Sequence, residues 1–185
     1  DESESRGLGD VYKRQSGYQP IGGSIVSDAV AQVIGQGEFN HGYTYSSHPV
    51  AAAVALENLR ILQEEHIIDT VRTEVAPYLS GKWRALADHP LVGEASVIGM
   101  MGSLALTPHK ESRAKFAADP GTIGYMCREH CFANNLVMRH VYDRMIISPP
   151  LVISKDEIDQ LISRATKALD ATYAQAKAEG LLKVG

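Results

Sequence analysis

The chain has 185 residues, 44% of them hydrophobic, which suffices for one ordinary domain or two small ones. Its formal net charge of -4 excludes an extended basic face for nucleic acid, and no apolar run or signal peptide indicates a membrane or secretory destination. Cys127 and Cys131 are the only cysteines and form no disulfide framework, so we expect a cytoplasmic protein without nucleic-acid or membrane partners.

Residues 1–15 read DESESRGLGDVYKRQ, a charged stretch without hydrophobic periodicity. Because this leader offers no apolar face to a core, we expect it to be disordered or foreign to the fold. The stretch RGLGDVYKRQ also resembles the translated adaptor sequence that occurs at the ends of metagenomic fragments. We therefore expect a truncated chain whose native part begins near Ser16.

Short elements follow. Ser24–Val26 is predicted as a short strand, and Asp28–Ile34 as a short helix that ends at Gly35. A polar, aromatic loop, FNHGYTYSSHP, then occupies residues 39–49 and runs directly into an apolar helix pattern.

This loop has the features of an anion-binding segment. A loop that ends at a helix start offers free backbone N–H groups and the positive end of the helix dipole, which suit a phosphate. Thr44 adds a hydroxyl that can donate to a phosphate oxygen. The alternative is an ordinary helix-entry loop in which Ser46 or Ser47 caps the helix.

Two helical patterns come next. Val50–Leu62 has apolar residues at the three-and-four spacing of an amphipathic helix, and Pro49 suits its first turn because the missing N–H costs nothing there. A second apolar stripe runs from Ile68 to Leu86. Pro77 lies inside it, which predicts a kink or a division of that helix.

The remaining sequence mixes strands and helices. The last helix begins at a capping box of Ser154 and Glu157 and stops at Gly180. This order predicts the end of an α/β domain followed by a compact α+β domain. The other predicted elements are strands at Leu91–Ile98, Met101–Leu106, Leu136–Val141 and Met145–Ser148, and a helix at Gly121–Asn134.

Three side chains within one helical turn, Cys127, His130 and Cys131, are possible metal ligands. A zinc site would need a fourth ligand or an open catalytic position, and no second cluster supplies one. We therefore predict core cysteines and no metal. His41 and His48 are interpreted as residues that organise the loop, because no nucleophile elbow supports a Ser-His-Asp hydrolase.

Arg139 is a candidate binding residue. Strand alternation puts it on one face with Val137 and Val141. A guanidinium flanked by apolar side chains should have a partner, because burying an unpaired charge is expensive. A structural ion pair with a nearby Asp or Glu and a functional anion contact are both open at this point.

The loop at residues 39–49 closely resembles the Phe-x-His-Gly-x-Thr-Tyr-Ser-Gly-His-Pro segment of class III aminotransferases, which use pyridoxal 5'-phosphate (PLP). Ser47 stands where this family usually has glycine. The resemblance extends over residues 16–185 and is closest to the ω-aminotransferases of the putrescine–pyruvate and β-alanine–pyruvate kind. In the turn after Arg139, Tyr142 also replaces a usual family glycine.

The resemblance implies a fold-type-I, α/β architecture. Residues 16–66 would be a remnant of the large PLP-binding domain, and residues 67–185 would form a linking helix and a small α+β C-terminal domain. It implies a homodimer that moves an amino group from an amine or ω-amino acid to pyruvate or another 2-oxo acid. Alternatives are another PLP reaction, such as that of an aminomutase, and a non-catalytic α+β interaction domain.

The resemblance also implies roles for individual residues. Thr44 would reach the PLP phosphate of the neighbouring subunit, with Tyr43 beside it. Arg139 would bind the substrate α-carboxylate and swing aside for amines that lack one, a task that suits a planar guanidinium.

No catalytic residue is assigned. In the family, the Schiff-base lysine lies six residues before the tyrosine matched by Tyr18, and that position is Tyr12 here. Lys13 is one place away, and we do not assign it the role. The aspartate that contacts the pyridinium nitrogen and the ring-stacking aromatic residue lie upstream of Ser16 in the family. We therefore expect the chain to be inactive alone.

Overall fold

The computed structural model describes residues 18, 21, 25–40, 42, 44 and 46–184. The chain divides into two compact units between Ile67 and Ile68. Within the described ranges, no helix is long and apolar enough to cross a membrane.

Two helices lie in the part of the first unit that the structure describes. Helix α1 spans Asp28–Ile34 and helix α2 spans Pro49–Glu64, and Pro49 occupies the first turn of α2 as predicted. Beyond α2, His66 adopts a positive φ of 50°, where the hydrophobic pattern breaks. The strand predicted at Ser24–Val26 is not formed at Ile25 and Val26, which have no regular structure, and Ser24 lies outside the described residues.

A segmented helical stripe follows. It consists of α3 (Ile67–Thr70), a π-helical segment (Val71–Val75), α4 (Ala76–Ala85) and a short 3-10 turn (Leu86–Asp88). Pro77 explains the segmentation, because proline has no N–H to donate and its ring crowds the carbonyl four residues earlier. A wider π turn just before the proline relieves this conflict without breaking the stripe. The predicted division is therefore confirmed as a π segment.

The second unit contains four strands, β1 (Val92–Ile98), β2 (Met101–Leu106), β3 (Arg139–Val141) and β4 (Arg144–Ile147). They form an antiparallel sheet in the order β1-β2-β4-β3. Strands β1 and β2 lie close to their predicted bounds, and β4 is displaced by one residue.

The prediction that β3 begins at Leu136 is wrong. Helix α5 (Thr122–Ala133) ends in a tight hydrogen-bonded turn in which Asn135 has a positive φ of 55°. The N–H of Leu136 donates to the carbonyl of Cys131 at 2.9 Å, and the N–H of Asn135 donates to Phe132 at 3.0 Å. These two bonds form a Schellman motif, which keeps Leu136 attached to the helix end and out of the strand.

The core of the second unit lies between its helices and one face of the sheet. Helix α6 (Lys155–Ala178) begins at the predicted capping box of Ser154 and Glu157, with both bonds present. Trp83 is fully buried, and its indole N–H donates to the carbonyl of Ser103 at 3.3 Å. Other buried members of this core are Leu79, Leu91, Leu104, Ile123, Cys127, Cys131, Met145, Ile158 and Leu169.

Candidate functional site

The second face of the sheet carries the polar side chains. Because strand residues alternate between faces, the register partners across the four strands form transverse rows on this face. One row is Ser96, Ser103, Ile146 and Arg139, and the adjacent row is Glu94, Ala105, Arg144 and Val141.

Arg139 is exposed at the edge of this face, directly opposite Ile146. The predicted apolar flank is only partly present, since Val141 shares the face but Val137 precedes the strand and is 81% exposed. Among the residues that the structure describes, none makes a hydrogen bond or ion pair with the Arg139 guanidinium. No carboxylate among the described residues therefore forms the structural ion pair that was one of the two alternatives for Arg139.

Arg144 is a useful contrast on the same face. Its Nη1 donates to the hydroxyl of Ser103 at 3.0 Å. The pKa of the Glu94 carboxyl lies below its ordinary value, chiefly because the Ser96 hydroxyl donates to it, and the charges of Arg113 and Arg144 add to this effect. Arg144 is thus part of an internal polar network, whereas Arg139 is not.

A two-residue turn, Tyr142 and Asp143, joins β3 to β4. Tyr142 has a φ of 49°, in the left-handed region that glycine favours and other residues rarely adopt. Tyr142 thus takes the backbone conformation expected of the glycine that the family resemblance implies at this position.

Asp143 is a residue whose role the sequence analysis missed. Its Oδ1 accepts the N–H groups of Ile123 at 3.0 Å and Gly124 at 2.9 Å, and its Oδ2 accepts the N–H of Gly121 at 3.1 Å. The carboxylate therefore caps α5 from outside the helix. The available signal was Gly121 itself, because a helix that begins at glycine has no side chain of its own to cap it.

In the first unit, Thr44 lies in an exposed turn that precedes α2. Its hydroxyl has no hydrogen-bond partner among the described residues and can donate outward, which fits a phosphate oxygen. Tyr43 and His41 lie outside the described residues, as do Tyr12 and Lys13.

The start of α2 differs from the prediction. His48, rather than Ser46 or Ser47, caps the helix, because its Nδ1 accepts the N–H of Ala51 at 3.4 Å. His48 therefore organises the loop, as predicted. Ser47 has a φ of 58°, again the conformation expected of the glycine that the resemblance implies there.

Fewer backbone donors are open at this helix start than the sequence suggested. Pro49 has no N–H, and the N–H of Ala51 is already bound by His48. The hydroxyl of Thr44 remains a donor without a partner among the described residues.

The cysteine cluster belongs to the core. Cys127 and Cys131 are buried, and the contact with the Cys127 sulfur, together with burial, raises the pKa of the Cys131 thiol. His130 points to the surface and contacts Gln175, with 2.8 Å between Nε2 and Oε1. In the described part of the chain, no group of three or more His, Cys, Asp or Glu residues could hold a metal ion.

Known proteins resemble this chain over most of its length. Residues 11–169 match the model of the family "Aminotransferase class-III". A putrescine–pyruvate aminotransferase of Pseudomonas aeruginosa is 59% identical over 160 residues, which cover 86% of this chain and 35% of that protein. The chloroplastic gamma aminobutyrate transaminase 3 of Solanum lycopersicum is 38% identical over 162 residues, which cover 85% of this chain and 31% of that protein.

Solved structures agree with this assignment. A transaminase solved with L-alanine matches with a TM-score of 0.82 at 30% identity, over 88% of this chain and 39% of that one. An (S)-enantioselective omega-transaminase from Thermomicrobium roseum matches with a TM-score of 0.80 at 34% identity, over 86% of this chain and 36% of that one. The α/β fold is therefore that of transaminases, which in class III depend on PLP. Because the family model covers most of its residues, this chain belongs to the class III aminotransferases.

Proposed function

We propose that this chain supplies part of a PLP-dependent aminotransferase that moves an amino group from an amine or ω-amino acid to pyruvate or another 2-oxo acid. In this proposal, residues 16–66 contribute to the large cofactor-binding domain and residues 67–185 form the small domain. The observation that carries it is the exposed guanidinium of Arg139, which has no partner among the described residues.

Arg139 would bind the carboxylate of the 2-oxo acid. A guanidinium and a carboxylate can form two parallel, charge-assisted hydrogen bonds, which fix the orientation of the acid as well as its position. Because no ion pair with another described residue has to be broken first, the side chain is free to form this contact. It is equally free to turn away when a donor amine without a carboxylate occupies the site.

Thr44 would hold the cofactor. Its hydroxyl would donate to a phosphate oxygen of PLP bound by the neighbouring subunit, so the active enzyme would be a homodimer. Tyr43 is proposed beside it from the sequence alone. Bound PLP supplies the electron sink that makes proton removal from the amino-bearing carbon feasible.

The chain has no lysine at the position that the family resemblance implies for the Schiff base. Position 12, where the family's Schiff-base lysine would fall, is occupied by Tyr12. We therefore propose that the 185-residue chain does not transaminate alone.

The experiment compares the chain with a chimera, in which residues 16–185 replace the matching part of the Pseudomonas aeruginosa relative and the relative's own sequence is kept at the Schiff-base lysine position. Each protein is mixed with PLP, putrescine and pyruvate, and alanine formation is measured. We expect alanine from the chimera and no more than the free-PLP rate from the chain. A folded, PLP-loaded chimera that forms no alanine would contradict the proposed function, and turnover by the chain alone would contradict its inactivity.

A further inference from the structure

We propose that Asp143 is a positioning residue for Arg139. Its carboxylate fixes the β3–β4 turn to the start of α5, and this attachment holds Arg139 where it can meet the substrate carboxylate. The inference rests on the function proposed for Arg139.

The attachment is built from three hydrogen bonds. Both carboxylate oxygens of Asp143 accept backbone N–H groups from the first turn of α5, at 2.9–3.1 Å. These N–H groups have no acceptor inside the helix, and Gly121 at its start offers no side chain. These three hydrogen bonds therefore stabilise the helix start as well as the turn, and they hold the two together.

Two backbone contacts strengthen it. The carbonyl of Asp143 accepts the N–H of Leu106 at 2.9 Å, which ties the turn to β2. The carbonyl oxygen of Tyr142 lies against Gly124 so closely that a Cβ atom there would collide with it. The turn is thus held by the sheet on one side and by α5 on the other.

Arg139 depends on this attachment because β3 is short. The strand has three residues, lies at the edge of the sheet and pairs only with β4. Its position is therefore set by its pairing with β4 and by its two ends, the Schellman turn at Asn135 and the turn at Asp143. A bidentate contact tolerates little displacement, so freeing one end should weaken carboxylate binding by Arg139.

The chain offers a matched control. Glu157 is also a capping carboxylate in the second unit, and it accepts the N–H of Ser154 at 2.8 Å at the start of α6. Its loss should destabilise a helix in a comparable way without touching β3. The Glu157→Ala variant therefore separates general destabilisation of the protein from a specific effect on Arg139.

The test uses the chimera and measures the pyruvate and putrescine half-reactions separately. The variants are Asp143→Ala, Asp143→Asn, Gly124→Ala, Arg139→Ala and the control Glu157→Ala, each with its melting temperature. We expect Asp143→Ala and Gly124→Ala to raise KM for pyruvate roughly tenfold. The kcat and the rate of the putrescine half-reaction should stay within about twofold of those of the unsubstituted chimera. Asp143→Asn keeps the shape and one acceptor oxygen, so it should recover part of the loss while remaining folded.

The outcomes are distinct. Equal losses in both half-reactions for the Asp143 variants, or the same selective loss in Glu157→Ala, would overturn the positioning role. If Arg139→Ala is selective for pyruvate and the Asp143 and Gly124 variants are not, this inference fails and the proposed function stands. If Arg139→Ala is not selective, the function proposed for Arg139 fails, and the positioning role falls with it.

Discussion

Tyr142 packs its carbonyl oxygen directly against Gly124, where no side chain other than hydrogen would fit. The contact accompanies a φ of 49° at Tyr142, in the left-handed region. A side chain in that region costs roughly 1–2 kcal/mol relative to the right-handed conformation, and glycine avoids this cost. The β3–β4 turn therefore carries local backbone strain at an exposed tyrosine.

Replacing Tyr142 with glycine should stabilise the chain. We expect Tyr142→Gly to raise the free energy of unfolding by roughly 0.5–1 kcal/mol, because the relieved strain exceeds the added entropy of the unfolded chain. The measurement is chemical denaturation. Tyr142→Ala is the control, since it removes the same exposed side chain but keeps the Cβ atom and should bring no gain. Equal effects of the two substitutions would contradict the strain assignment.

His89 makes stability depend on pH. Its side chain is only 10% exposed; Nδ1 accepts the N–H of Leu91 at 3.1 Å, and Nε2 lies 3.3 Å from Asp170 Oδ1. Burial lowers the pKa of His89 below its ordinary value, although Asp170 opposes the shift. The neutral ring is needed for the Leu91 bond, because an imidazolium cannot accept a hydrogen bond.

The sign of the pH effect follows directly. The unfolded chain binds a proton at His89 more readily than the folded chain. The contribution of His89 to the free energy of unfolding is therefore fully present above the ordinary histidine pKa of about 6.5 and is lost as the pH falls below it. Chemical denaturation at a series of pH values from neutral to mildly acidic should show the free energy of unfolding falling with pH, and His89→Asn should reduce that fall. A variant with an unchanged slope would assign the pH dependence to other groups.

Thr44 gives a prediction about cofactor retention. In the chimera, Thr44→Ala should weaken PLP affinity about tenfold or more, because a hydrogen bond to a charged group contributes roughly 1.5–3 kcal/mol. Thr44→Ser keeps the hydroxyl and should retain most of the affinity. PLP release during dialysis, followed by absorbance, provides the measurement. An unimpaired affinity in Thr44→Ala homodimers would refute the contact.

A hybrid dimer tests whether that contact crosses the subunit interface. One subunit carries Thr44→Ala, and the other lacks the Schiff-base lysine but has an intact Thr44. Only the lysine-bearing subunit can react, and its phosphate donor would be the partner's hydroxyl. PLP retention at that subunit should therefore match the unsubstituted enzyme, and a loss as large as in the Thr44→Ala homodimer would place the contact within one subunit.

Local signals predicted much of the fold. The capping box of Ser154 and Glu157 and the first-turn Pro49 act within a few residues, so sequence spacing alone locates them. Pro77 predicted a disturbance but not its form, because a π turn and a kink relieve the same clash.

Long-range partners were not predictable in the same way. Asp143 caps a helix that begins about twenty residues earlier in the chain, and no local spacing marks such a bond. The late start of β3 depends on a left-handed conformation at Asn135. For the candidate site, the sequence singled out Arg139 but did not predict that this side chain is exposed. The exposure of Arg139 depends on where β3 begins, and the sequence placed that start too early.

The central claim is that Arg139 binds the acceptor carboxylate. The most direct measurement is single-turnover kinetics of the two half-reactions in the chimera, with Arg139→Ala, Arg139→Lys and, as matched control, Arg144→Ala from the same sheet face. Loss of a bidentate, charge-assisted pair is worth roughly 1.5–3 kcal/mol, so Arg139→Ala should lower the pyruvate specificity constant about tenfold to a hundredfold and leave the diamine half-reaction nearly unchanged. Lysine lacks the planar fork and should recover only part of this loss, and Arg144→Ala should show no such selectivity. Equal losses in both half-reactions for Arg139→Ala would contradict the claim and assign Arg139 a structural role.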